Sequence, residues 1–573
     1  MYQYFKAALS LPVPAVPYQT NRRVKLMLKG LILGAVLVFA PSLFSQHNHG
    51  ASQKAPKPAE LLEGLGNHVH PIATKSEQAQ QFFNQGIALI FGFNHDEAAR
   101  LFARAAELDP ASPMPHWGIA LALGPNYNLP AMPEREAKAW KAIEKAVELC
   151  KKSPANERAY VNALVERYSK DPSVDRKNLA IAYKDAMKQI TIDYPDDLDA
   201  ATLYAESLMN LRPWALWSSD GQPAEDTLEI LNVLEGVLRR DPNHPGANHY
   251  YIHAVEASKN PERALPSAQR LGSLMPGAGH IVHMPSHIFL RVGDFETSAV
   301  VNKTASEVDR RYVERSGQSK GFYSLMYYSH NLHFVSYVRM MQGKFDESLD
   351  YARRLRKNVD GEVDAMPMLG SYAAFEWLIL TRFSKWNEML AQVEPKEKDR
   401  FVNAMYRYSR ALAYAGLGRV KEAQAEQERL VEIAGQVSDK DALMNNSTRA
   451  VLEVGLAELE AKIARARKDI DSEISNLRRA VALQGKLNYM EPPEWHYPVR
   501  EALGGALLRA GRAAEAEDVF RSDLSVNPRN GRSLFGLIEA LKSQGKTVGV
   551  EWVKKEFAEA WKYAPVALTI WEL

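Results

Sequence analysis

Thiol chemistry is almost missing from this chain. Its 573 residues include a single cysteine, Cys150. An intramolecular disulfide and a thiolate-rich metal cluster are therefore excluded. Cys150 sits in AVELCKKSP with no histidine beside it and reads as a buried, unreactive thiol. An excess of one charge is missing too. There are 71 Lys and Arg against 69 Asp and Glu, a formal net charge of +2. Lys6, Arg22, Arg23, Lys25 and Lys29 lie in the first 45 residues with no acid, so the remaining body stands at −3. A near-neutral body has no electrostatic footprint for nucleic acid, and none is expected as a partner. Beyond residue 45 no apolar run is long enough to span a bilayer. No alternation of Val, Ile and Thr announces a sheet. GxxxxGK[ST], GxSxG and HExxH do not occur, and Gly64-Leu-Gly66 lacks the third glycine of a dinucleotide loop. No nucleotide cofactor is expected.

What is present begins with an address. Arg22, Arg23, Lys25 and Lys29 lead into an apolar stretch that ends near Ala40. A basic segment followed by a short apolar run and small residues has the pattern of a secretory signal peptide, with cleavage after Ser45. An uncleaved anchor is the alternative. The expected organisation is a signal peptide over 1–45, a polar arm over 46–75 carrying Pro56, Pro58 and Pro71, and a helical body over 76–573. The mature protein is expected to be exported, to the periplasm or the medium, without a membrane span.

One internal repeat accounts for most of that body. In FFNQGIALIFGFNHDEAARLFARAAELDP, small residues at Gly86 and Ala98 let two helices lie close, and Pro110 ends the second. The pattern returns in RYSRALAYAGLGRVKEAQAE and in EALGGALLRAGRAAEAEDVFRSDLSVNP, and Gly293 and Gly343 mark two further turns. These spacings resemble the tetratricopeptide repeat family, whose unit is a helix–turn–helix of ~34 residues. Together with His68-Val-His70 and HWGIALALGPN, they resemble exported bacterial proteins of that family, for which no activity is carried over. The resemblance implies an all-α solenoid, a right-handed superhelix of antiparallel helix pairs. Each unit buries its apolar face on its neighbours and turns its first helix toward a concave groove.

The chemistry-bearing residues are histidines. Of 15, seven fall in three short segments: HYYIH, HIVHMPSH and HNLH. These supply His249 and His253; His280, His283 and His287; and His330 and His333. Counted from Gly293, the middle segment takes the second, fifth and ninth positions of its repeat. Counted from Gly343, His330, His333 and Tyr337 take the same positions. Aligning Ala264 puts His249 and His253 at the fifth and ninth and Glu256 at the twelfth, and Glu206 falls at the ninth position of the preceding unit. The family resemblance implies that these positions face the groove. Residues three and four apart share a helix face, so imidazoles from adjacent helices are expected to converge on a metal. Imidazole with at most one carboxylate and no thiolate suits Zn, Cu, Fe or Ni rather than Ca or Mg. Two ions, or one ion with outer histidines, would use all seven.

His68 and His70 form an H-x-H pair before the first repeat, able to fold back and complete the site or to stay exposed. His95 and His116 read as structural. Trp214 and Trp217 suit either a ligand or peptide at a groove mouth or buried packing, and the irregular turn Asn126-Tyr127-Asn128 has no assigned role. Two functions stay open. One is a metal-binding or metal-dependent catalytic protein, with Tyr250, Tyr251, Glu256 and Tyr337 to inspect for proton transfer and no catalytic residue identified. The other is a non-enzymatic adaptor that grips a peptide or protein in the groove.

Overall fold

The computed structural model describes residues 59–573, apart from Pro172, Asp439 and Val566. The expected signal peptide and the arm up to residue 58 lie outside the described residues. From Glu77 to Ala560 the chain is a succession of α-helices, with only isolated bridges and no strand among the described residues. Each helix packs mainly on the one before and the one after it, as tetratricopeptide-type helix pairs do. No helix among the described residues is long and apolar enough to cross a membrane.

Two phenylalanines show how the sequence makes the pairs. Phe102 is fully buried between helices Glu77–Phe91 and Met114–Leu123. A Cβ at Gly86 or Gly118 would come within 2.4 or 2.6 Å of its ring. Phe520 sits in the same way between Gly504 and Gly536, where a Cβ would meet its ring at 2.4 and 2.1 Å. In both places glycine lets two helix backbones close on one aromatic ring, and the spacing along the chain is the same. Tight turns then reverse the chain. Gly293 and Gly343 adopt φ of 77° and 74°, a left-handed backbone that side chains disfavour. Phe93 stands at the corresponding turn of the first unit with φ 55°. A bulky residue there is strained by about 1–3 kcal/mol.

Two apolar clusters fill the molecule, one running from Leu65 to Phe289 and one from Phe295 to Leu573. The histidine-bearing helices lie where they meet. This region departs from an open solenoid. Helix Glu77–Phe91 packs on helix Pro245–Glu256, eight helices further on, and Phe91 comes so close to Gly246 that a Cβ there would lie 2.6 Å from its ring. From the other end, Glu491 reaches His287 at 3.4 Å. The groove expected from the repeat count is closed at this point.

Candidate metal centre

Helix Pro245–Glu256 follows a proline at its first turn and carries His249 and His253 one turn apart. The next bearing segment is split: helix Gly279–His283 gives way at Pro285 to helix Pro285–Arg291, because proline offers no N–H to continue the ladder. His280 and His283 precede the break and His287 follows it. Helix Ser329–Met341, which follows a π-turn over Ser324–Tyr328, carries His330 and His333.

The histidines expected on a groove surface are buried instead, apart from His330, which is half-buried. Six of them form two groups of three. In each group a ligand atom from every member lies within 4.8 Å of the others: His249, His253 and His280 in one, His283, His287 and His330 in the other. Ring centroids are 4.9–6.2 Å apart in the first and 4.7–5.8 Å in the second.

Hydrogen-bond partners fix the tautomers. The His249 Nδ1–H donates to the Phe91 carbonyl at 2.5 Å. The His253 Nδ1–H donates to Glu256 Oε1 at 2.9 Å, and the His287 Nδ1–H donates to Glu256 Oε2. The His283 Nδ1–H donates to Asn302 Oδ1 at 2.6 Å, and the Asn302 amide is held in that orientation by its own bond to Ser298 O at 2.7 Å. All four partners can only accept, so all four rings carry a proton on Nδ1, and in a neutral ring Nε2 is then a bare lone pair. The Nε2 atoms of His249, His253 and His280 have no hydrogen-bond partner. Those of His283 and His287 face each other at 2.8 Å. Each unpaired buried polar atom costs about 1–3 kcal/mol. A bound cation would remove that cost at His249, His253 and His280.

Electrostatics agree with a ligand set. Burial pushes His249, His280, His283 and His330 well below the usual imidazole range, and the neighbouring imidazoles add to it. His253 is lowered by burial as well, against the pull of Glu256. These rings are neutral at pH 7, the form that binds metal. Burial alone would raise Glu256, but His287 and His253 outweigh it and hold its carboxyl well below the usual range. Burial and the Glu256 charge push Glu491 far up, so it is a neutral acid behind His287.

The remaining candidates fall elsewhere. His333 packs edge-on against Phe375 and Tyr372, with centroids at 4.3 and 5.4 Å, and burial lowers it to about 3. It sits three residues after His330 but meets Phe375 and Tyr372 rather than the cluster. Glu206 accepts from Asn210 Nδ2 at 2.5 Å, and burial raises its carboxyl against the pull of Arg167. Tyr337 is buried toward Glu501 and Asp523. Tyr251 donates to Glu235 at 2.7 Å, while Tyr250 lies 5.4 Å from the His249 ring. His68 and His70 do fold back, but onto Asp199. His68 Nε2 is 2.9 Å and His70 Nδ1 2.6 Å from its oxygens, and His244 Nε2 is 3.0 Å away. His244 Nδ1 accepts from Ala247 N at 3.1 Å, so its Nε2 carries the proton and donates to Asp199. That group is a latch that pins the arm. Cys150 is buried, as expected.

Sequence reasoning did not place the aromatic walls at this centre. Phe93 contacts all three members of the first group, at 4.5 Å from His249, 5.7 Å from His253 and 5.5 Å from His280. Tyr127 and Trp214 close over His253 at 5.2 and 5.7 Å, and Tyr327 over His280 at 4.9 Å. Asn128 donates to the Tyr327 hydroxyl at 3.4 Å and ties the GPNYNLP turn to the π-turn. Trp214, like Phe93, has a left-handed backbone, with φ 61°. One signal was present in the sequence: Phe93 stands where other units carry glycine.

The molecule is thus a helical-repeat solenoid with a buried polyhistidine centre. No protein-family model matches the chain, and no curated protein matches it. Solved structures that match include a human IFIT1 dimer with PPP-AAAA, at 12% identity over 86% of this chain and 92% of that one, TM-score 0.33. The P58(IPK) TPR domain matches at 12% identity over 82% and 99%, TM-score 0.20. Yeast Tom70 matches at 9% over 84% and 93%, TM-score 0.28. The repeat reading rests on the chain's own helix pairs rather than on these matches.

Proposed function

We propose that this chain is a transition-metal protein whose ion is held inside the solenoid by neutral imidazoles. The observation that carries the reading is the 2.8 Å approach of His283 Nε2 to His287 Nε2, both with their protons committed to Nδ1. Two lone pairs at that distance repel unless a cation lies between them. A proton between them would serve that pair, but not the unpartnered Nε2 atoms of His249, His253 and His280 beside it. All-imidazole ligation favours Zn, Cu, Fe or Ni. The outer hydrogen bonds to Glu256, Asn302 and the Phe91 carbonyl are of the kind that orient metal-bound histidines. We place this centre in an exported protein, on the N-terminal basic and apolar pattern.

Adaptor function is the other reading, and the repeat fold is compatible with it. Its contacts would have to come mainly from other surfaces, because Tyr337 and the clustered histidines other than His330 are buried. Elemental analysis of the full chain, purified from metal-replete medium and dialysed free of loose ions, separates the two. A bound first-row metal that His253→Ala/His287→Ala lacks supports the centre. Metal-free wild type with intact helix content supports the adaptor.

A further inference from the structure

The two groups of imidazoles are built alike. Each has three histidines, and each has one phenylalanine that touches all three. Phe93 does this in the first group. Phe334 does it in the second, at 4.9 Å from His283, 5.2 Å from His287 and 5.1 Å from His330. Each phenylalanine also stacks nearly parallel on a ring of its group: Phe93 on His253 and His280, both at 17°, and Phe334 on His287 at 20°. One carboxylate serves both groups, because Glu256 accepts from His253 of the first and His287 of the second. The groups adjoin, with rings 5.8 Å apart between His280 and His283 and 5.9 Å between His253 and His287.

We infer that the centre holds two transition-metal ions, one on His249, His253 and His280 and one on His283, His287 and His330. This rests on the metal reading above and deepens it. Three nitrogen ligands leave each ion an open position, and the two pockets lie side by side. Glu256 is a positioning residue that couples them. It holds one ligand of each ion by Nδ1, so a change at one ion is felt at the other.

A single ion on His253, Glu256 and His287, whose ligand atoms also lie within 4.8 Å of one another, is the competing arrangement. It would take the Nδ1 atoms now bonded to Glu256. With Nδ1 of His287 on the ion, its proton would sit on Nε2 and donate to His283 Nε2, so that pair would be served, but the Nε2 atoms of His249, His253 and His280 would stay without a partner. Two ions served through Nε2 relieve all of them and keep the Glu256 bonds.

The test is a titration of the chelator-stripped full chain with Cu(II), followed by dialysis against glycine to remove loosely held ions and by elemental analysis. Wild type should retain two copper ions per chain. His280→Ala and His330→Ala should each retain one, and the double variant none. Glu256→Gln should weaken both ions by about 10–100-fold, as loss of an outer partner does, with helix content unchanged. Wild type that saturates at one ion, or a single variant that keeps two or loses both, overturns the two-ion inference. Wild type that retains none overturns the metal centre itself. Circular dichroism of each variant identifies any that fails to fold. For such a variant the matched His280→Gln or His330→Gln carries the same expected counts.

Discussion

Phenylalanine plays two parts in this chain, and the contrast separates scaffold from site. Phe520 is clamped between Gly504 and Gly536 and touches helix backbone on both sides. Phe102 repeats the arrangement with Gly86 and Gly118. Phe93 and Phe334 are clamped between imidazoles instead. In the first setting an aromatic ring fills the space that two glycines leave. In the second it packs against the imidazole rings of one group. The scaffold setting recurs with a fixed spacing along the chain. The site setting occurs where the two apolar clusters meet, and there the repeat rule that units touch only their neighbours is broken by helix Glu77–Phe91 and by Glu491.

Phe520→Ala should produce the largest effect. Removing a fully buried ring costs about 3–5 kcal/mol, and the denaturant midpoint should fall accordingly, while metal retained at permissive temperature stays at the wild-type level. If Phe520→Ala strips the metal without moving the midpoint, scaffold and site are not separable.

Metal loading should come close in size. A ligand at a thousandfold excess over its Kd stabilises the folded state by about 4 kcal/mol. Thermal denaturation should show that gain for wild type and no gain for His253→Ala/His287→Ala. An equal gain in both would assign the binding to other groups.

A third comparison concerns buried histidines outside the centre. Burial, with Arg382 nearby, lowers His496 to about 3. The unfolded ring titrates near ~6.5. Between these values the unfolded chain carries the extra proton, so the stabilisation is complete above ~6.5 and is lost as pH falls toward the folded value. His496→Phe should flatten the acid limb of metal-free stability by about 1.4 kcal/mol per pH unit. An unchanged slope would mean that His496 is not neutral in the folded chain.

The smallest effect expected is at Phe93. Its φ of 55° suits glycine. Phe93→Gly should therefore be more stable than Phe93→Ala by about 1 kcal/mol, measured by chemical denaturation, although both lose the same ring contacts. The opposite order would remove the strain from the account.

The scaffold was legible in the sequence because its determinants are local. Gly86, Gly504, Phe520, Gly293 and Gly343 act through neighbours one repeat away. The histidine-bearing segments were legible for the same reason, since helix periodicity brings His249 next to His253 and His283 next to His287. What failed was exposure and long-range closure. Repeat positions assigned to a groove say nothing about a helix from the first unit that covers it. Glu256 was found by register, but Glu491 lies more than two hundred residues away in sequence. Register alone did not show that Glu206 pairs with Asn210 or that His333 packs on Phe375. A rotation of one or two residues around a helix decides whether a side chain meets the cluster or, as His333 does, an apolar wall of Phe375 and Tyr372.

X-ray absorption at the edge of the bound metal tests the central claim most directly. The loaded full chain should show a first shell dominated by nitrogen, at ~2.0–2.1 Å if the ion is zinc, with the outer scattering of several imidazole rings. A shell dominated by oxygen, or scattering unchanged in His253→Ala/His287→Ala, would contradict it.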